Sequence, residues 1–393
     1  MRWPAARMQS QQSKGFGMYE IAARLRSEGR DVIQLSFGSP FYDTPLHIKA
    51  AAKAALDAGV VHYGDLQGTE TLRRALAERY RVRYGVNYGA GEILITNGVT
   101  QASFAAFMAA LDVGDEVILL DPFYPQHISK IELAGARVVA VPMRLEQRTF
   151  RLDARAVEAA VTRATRMIVL INPANPTGTV FTRHELEQLA AIVRRHDLLV
   201  LSDEVYEFIT FDGRTHTCFA SLPGMKEHTI TVSAFTKAYA MDGWRIGYAA
   251  APPHIIADLR RITLNSTTHP CVFAQEGALA AVRESQDCVR AMVEEDARRR
   301  DLVVEALNSM PGVSCGTPEG TIYAFADFSS LGRSSIELSR QILESAHVAL
   351  ESGAFYGKRG EGYLRICFGA ESYERLAEGM HRLGAWVAAQ EKA

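Results

Sequence analysis

The chain has 393 residues, more than one compact core usually serves, and 48% are hydrophobic against 22% charged, the balance of a globular enzyme rather than a disordered or fibrous chain. A formal net charge of -2 argues against a broadly nucleic-acid-binding surface, and the basic run Arg298, Arg299, Arg300 is flanked by Glu294, Glu295, Asp296 and Asp301, as on a solvated helix face. The five cysteines stand far apart without a CxxC pair, so neither disulfides nor structural zinc are expected; there is also no secretory signal and no bilayer-length apolar run, which makes a cytoplasmic protein the expectation.

Two helical patterns come first, at 47–56 behind Thr44-Pro45, a capping residue followed by proline, and at 71–80 behind Gly68. From about residue 90 to 250, short apolar runs alternate with amphipathic stretches. The runs 92–96, 116–120, 138–141, 167–171, 198–202 and 229–232 predict buried, mainly parallel strands, and 100–111, 153–161 and 183–195 predict helices between them. The implied unit is a three-layer α/β/α lobe. Beyond Pro252-Pro253, helical stretches run through 255–261, 274–282 and 287–307. The segment 312–393 changes to strand, strand, helix, strand, strand, helix, with 321–327 and 363–368 as its clearest strands. The expected organisation is an arm at 1–46 that also completes the small lobe, a large domain at 47–283, and a smaller α+β domain at 284–393.

Within SAFTKAYAMDGWRIGY (233–248), Lys237 sits in a loop just after an apolar strand and Arg245 follows eight residues later. Partial desolvation at a strand end would let the lysine amine lose a proton and attack an aldehyde, and the arginine could neutralise a phosphate. Alone, such a lysine is usually an ordinary surface residue. INPANPTG (171–178) and LSDEVY (201–206) change the balance, because each ends its own predicted strand, and ligands of open α/β sheets gather at those ends. Asn-Pro and Thr-Gly also suit plain turns. The Asp203-Glu204 pair is harder to explain that way, since buried strands rarely end in paired carboxylates without a partner.

Together NPANPTG, SDEVY and SAFTKAYAMDGWRIGY resemble the signature of the class I/II aminotransferases of pyridoxal-phosphate (PLP) fold type I, in the family's order and spacing. The resemblance implies a PLP enzyme that moves an amino group from an L-amino acid to a 2-oxo acid. It makes Lys237 the lysine that binds the cofactor as a Schiff base and Asp203 the partner of its pyridine nitrogen. Tyr206 and Asn175 match groups that hydrogen-bond the phenolic oxygen, and Tyr124 in DPFYP matches the aromatic residue stacked on the ring. Val99 and Thr100, in TNGVTQA, match the phosphate site, where a helix start offers free N–H groups. Arg365, in GYLRICFG, matches the arginine that clamps the substrate carboxylate, and Gly38 fits a close backbone approach to that carboxylate. Tyr63, in HYGDLQGTETLR, matches a tyrosine that reaches the neighbouring subunit's phosphate, which implies a homodimer with shared active sites.

Two departures from the family pattern stand out. Ala234 replaces the usual serine or glycine three residues before the lysine, so Ser233 or Thr236 must supply that phosphate bond or it is lost. The N-terminal motif, usually acidic, reads Gly38-Ser39-Pro40-Phe41-Tyr42-Asp43-Thr44-Pro45. The stretches 16–19, 39–42 and 265–269, expected to line the side-chain pocket, contain no arginine or lysine, which favours neutral or aromatic side chains over a dicarboxylate. A PLP-dependent lyase performing β-elimination is the alternative on the same fold, and a PLP-binding regulatory module a more remote one. The scattered histidines read as structural or surface residues, and no metal site is expected.

Overall fold

The computed structural model describes residues 3–5, 8 and 17–390. Its central sheet is built from β1 (Ile93–Thr96), β2 (Glu116–Asp121), β3 (Arg137–Pro142), β4 (Thr165–Ile171), β5 (Leu199–Asp203), β6 (Thr229–Ala234) and β7 (Gly247–Ala250). Their order across the sheet is β1-β7-β6-β5-β4-β2-β3. Pairing is parallel from β6 through to β3, whereas β7 runs antiparallel to both neighbours. The reading from sequence did not separate β7 from the loop before it.

Strand alternation sends successive residues to opposite faces, and the two faces have separate cores. Val117, Leu119, Val169 and Leu201 pack with Phe107, Ile128 and Leu259, while Ile118, Leu120, Ile168 and Val200 pack with Leu186, Leu189 and Val193. That is the three-layer arrangement expected, and it explains why the inner strands are nearly continuous apolar runs. β3 lies at the edge, where exposed Arg137 and a terminal Pro142 are tolerated.

Local chemistry starts several of the covering helices. Thr182 and Glu185 form a reciprocal capping box ahead of Arg183–His196, and Asp153 accepts from the N–H groups of Arg155 and Ala156. Thr44 does not cap as expected. Pro45 is the cap residue of Leu46–Asp57, and the Thr44 hydroxyl donates instead to the Ala240 carbonyl (2.5 Å), tying the N-terminal loop to the loop after Lys237. A helix ahead of the two expected ones occupies Gly17–Ser27.

The C-terminal part holds an antiparallel sheet of Ser314–Cys315, Tyr323–Asp327, Tyr363–Cys367 and Glu351–Ser352, in that order, with helices Ser335–Ala346 and Tyr373–Gln390. Ile33–Gln34 pairs in parallel with Val348–Ala349, and Ile33 and Leu35 enter the same core as Phe328 and Phe368. That core also takes in Tyr206, Ile209 and Phe211, which directly follow β5. The small sheet is therefore packed against the carboxyl end of the large one, and the cleft between them opens where the parallel strands end. Among the described residues, no helix is long and apolar enough to cross a membrane.

Candidate active site

A cavity of about 340 Å³ lies in that cleft, lined by residues from both sheets. Four strand ends supply its floor: Tyr124 follows β2, Ile171 and Asn175 end and follow β4, Asp203 ends β5, and Lys237 follows β6. Arg365 and Tyr323 come from facing strands of the small sheet, and Phe37 and Gly38 from the N-terminal segment. The cavity thus unites Gly38, Val99, Thr100, Tyr124, Asn175, Asp203, Tyr206, Lys237, Arg245 and Arg365. Tyr63 is absent from this group. It is 88% exposed and stacks on His269 with ring centroids 4.7 Å apart.

Lys237 is half-buried, donates from Nζ to the Gly38 carbonyl, and lies 5.9 Å from the centre of the Tyr206 ring. Glycine at 38 has a steric cause, since a Cβ there would fall 1.9 Å from Tyr323 Oη. Tyr323 in turn accepts a hydrogen bond from the Tyr206 hydroxyl (2.9 Å). Burial raises the Tyr206 and Tyr124 phenols, so both stay neutral donors near neutral pH.

At the far end, Asp203 is 5% exposed and accepts from the Val205 N–H (3.2 Å). His127 Nε2 stands 3.7 Å from Asp203 Oδ2, too far for a hydrogen bond, and neither ring nitrogen has a partner among the described residues. Burial lowers the His127 pKa, so the imidazole is neutral. Lys130, three residues on, donates from Nζ to Ser103 Oγ (2.8 Å), and burial brings its pKa down to about 8 against the pull of Asp203. Neither residue was anticipated as part of a site, yet both stand in the cavity wall. Their helix, Gln126–Leu133, places them on one face at i and i+3.

The opposite rim is electropositive. Helix Val99–Ala110 begins after Gly98, which at φ +81° has no side chain to cap the first N–H groups. A Cβ on Gly98 would fall 2.7 Å from Arg245 Nη2, so glycine here lets the guanidinium approach the helix start. Arg245 donates to the Asp242 carbonyl (2.9 Å) and keeps an exposed side. Of the two candidates to replace the hydroxyl missing at Ala234, only Thr236 lines the cavity. Ser233 is buried and donates to Glu207 Oε1 (3.1 Å). Glu204 points away as well, held by His216 (2.9 Å), Ser202 (2.8 Å) and the Phe219 N–H (3.0 Å), so the second carboxylate of the Asp203-Glu204 pair is structural.

Arg365 is 2% exposed, donates to Asn175 Oδ1 (3.1 Å) and the Ser36 carbonyl (2.7 Å), and lies over the rings of Tyr323 and Tyr356 at 4.2 and 5.0 Å. It remains a full cation with no carboxylate bonded to it among the described residues. Lysine, acidic strand end, anion-binding helix start and buried arginine are the parts that PLP and an amino acid need, and they fit.

The family model for aminotransferase class I and II matches residues 30–383. The chain belongs to that family. It is 39% identical over 369 residues to an aspartate aminotransferase of Pyrococcus abyssi, covering 93% of each chain. It is equally identical over 355 residues to aromatic-amino-acid aminotransferase 2 of Thermococcus litoralis, covering 90% of each. The solved structure of an aromatic aminotransferase from Pyrococcus horikoshii superposes with a TM-score of 0.90 at 38% identity, covering 95% of this chain and all of that one (100%). This aminotransferase is therefore a PLP-dependent enzyme of fold type I that transfers an amino group from an amino acid to a 2-oxo acid.

Proposed function

We propose that the residues of the cleft divide the work of transamination as follows. Lys237 would hold PLP covalently through its amine, and the same amine, when free, would move the Cα proton as base and then acid. Bound PLP supplies an electron sink for the charge left at Cα. Asp203 holds the ring nitrogen's proton in place, with neutral His127 behind it. Tyr206 and Asn175 offer hydrogen bonds to the phenolic oxygen, and Tyr124 packs on the ring. The N–H groups of Val99 and Thr100, Thr236 and Arg245 take the phosphate, and Arg365, with Gly38 beside it, takes the substrate carboxylate. The observation that carries this reading is the convergence of Lys237, Asp203 and Arg365 on one 340 Å³ cavity. Borohydride reduction followed by peptide mass analysis should place PLP on Lys237, and Lys237→Ala should lose both the adduct and turnover. Wild-type turnover by that variant would refute the assignment.

For the side chain accepted, we infer a preference for neutral or aromatic amino acids. Phe37 lines the cavity and lies 5.2 Å from the Tyr19 ring, while Ser39 donates to Asp242 (2.6 Å) rather than leaving it open. No cation comes from 39–42 or 265–269, and Phe16 lies outside the described residues. A donor screen decides this, and faster turnover of aspartate than of phenylalanine or tyrosine would reverse it.

We also infer a cytoplasmic homodimer whose partner brings Tyr63 to the phosphate. Exposed apolar Leu46 (80%), Val61 (55%) and Tyr63 (88%) support a covered face, and the five free cysteines suit a reducing compartment. A monomer in sedimentation at micromolar concentration would contradict the dimer.

A further inference from the structure

Glu351 lies directly opposite Arg365 on the neighbouring antiparallel strand, so the two side chains share one face of the small sheet. Both residues are 2% exposed. Among the described residues, neither carboxylate oxygen of Glu351 has a hydrogen-bond partner, and the Nε of Arg365 has none either. An unpartnered buried carboxyl group is costly, and an apolar residue would fill the space without that cost. A charged neighbour one strand away from the carboxylate clamp therefore calls for a role.

The surroundings limit what that role can be. Arg365 favours the ionised form of Glu351, and burial opposes it more strongly, raising its pKa to about 7. The other titratable groups facing this pair are the hydroxyls of Tyr356, Tyr323, Tyr124 and Tyr206 and the thiol of Cys367. The helix Ser335–Ala346 lies on the other face of the sheet, where Ser335 meets Ser352 (2.9 Å) and Ile342 shares a core with Leu364 and Ile366, while on the face of the pair Phe325 and Tyr356 pack toward the large sheet. Among the described residues, Arg365 is the cation that acts on Glu351.

We propose that Glu351 is a positioning residue for Arg365: it holds a proton while the guanidinium clamps a carboxylate and draws on the guanidinium's charge when ionised, so that substrate binding takes up to one proton from solvent at Glu351, the more the higher the pH. This rests on the reading of Arg365 as the carboxylate clamp. An anion arriving at Arg365 cancels the cation that favoured ionised Glu351 and adds negative charge beside it, and both effects raise proton affinity. By linkage, the affinity for the carboxylate falls as pH rises through the titration of Glu351 in the free enzyme, by up to about tenfold per pH unit.

The test is calorimetric titration of the holoenzyme with two unreactive acids that lack the amino group, 3-phenylpropionate and succinate, across roughly pH 6 to 9, in buffers of different ionisation heat. Any proton movement at Lys237 is common to wild type and variants, so the difference between them isolates Glu351. Wild type should take up more protons than Glu351→Gln and show the steeper rise of Kd with pH. Glu351→Val, which removes the unpartnered polar atoms, should behave like Glu351→Gln and decides the matter if the glutamine variant fails to fold. Equal proton uptake and parallel pH dependence in wild type and variants would overturn the proposal. Arg365→Met distinguishes the two levels: undiminished binding of both acids would sink the clamp itself, whereas lost binding with unchanged proton uptake in Glu351→Gln would sink only the role of Glu351.

Discussion

Gly38→Ala is the smallest change that should disturb the substrate side of this site. The added Cβ would fall 1.9 Å from Tyr323 Oη and 2.9 Å from its Cζ, and real Cβ atoms do not approach so closely. Tyr323 cannot simply turn aside, because it is 2% exposed, bonded to the Tyr206 hydroxyl (2.9 Å) and stacked under Arg365 (4.2 Å). Overpacking of this kind costs about 1–3 kcal/mol and a lost buried hydrogen bond about 1 kcal/mol more, so about 2–4 kcal/mol is expected. With an unfolding entropy of roughly 2 cal/mol/K per residue, that corresponds to a fall of about 2–5 °C in Tm for a chain of this length. Because the Gly38 carbonyl accepts from Lys237 Nζ, KM for both substrates should rise as well. Thermal scans at fixed rate on Gly38→Ala, Tyr323→Ala and the double variant check the cause. With the tyrosine removed the obstacle is gone, so the alanine should then cost less than about 1 kcal/mol. Purely additive effects, or a Gly38→Ala protein as stable as wild type, would refute the steric reasoning.

Lys130→Met should change how stability depends on pH. The lysine's pKa is lowered from 10.5 to about 8 in the fold, so between those values the unfolded chain binds a proton that the native one does not, and wild-type stability gains as pH rises through that window. The gain is up to about 3 kcal/mol and should be missing from the methionine variant; denaturant midpoints measured from pH 7 to 10 that ran parallel in the two proteins would count against it. Thr236→Val should weaken cofactor binding to the apoenzyme by about 10–150-fold, the worth of one hydrogen bond to a charged group, whereas Ser233→Ala should leave it unchanged because Ser233 serves Glu207. Equal weakening by both would mean that the phosphate site has been misread.

Much of this enzyme is legible in its sequence because the signals are local. Buried strands that alternate with capped helices, an Asn-Pro turn and a lysine after a strand each follow from residues close together in the chain. The same is true of the helix start at Val99 and Thr100, ahead of the amphipathic stretch 100–111. The antiparallel direction of β7 is not legible in this way, because a four-residue apolar run looks the same in either direction and only its partners β1 and β6 set it. His127 and Lys130 were missed because burial beside Asp203, rather than residue type, is what gives them a place in the site. The contacts that shape the substrate end join distant segments: Gly38 with Tyr323, Asn175 with Arg365, and Glu351 across a strand pair from Arg365. The sequence by itself determined the family and its cofactor, and marked the lysine and the strand ends proposed to carry the site. Only the tertiary structure decided which hydroxyl faces the cavity, which carboxylate is structural, and that a second carboxyl group is buried beside the arginine, because long-range packing, not local pattern, sets what each side chain meets.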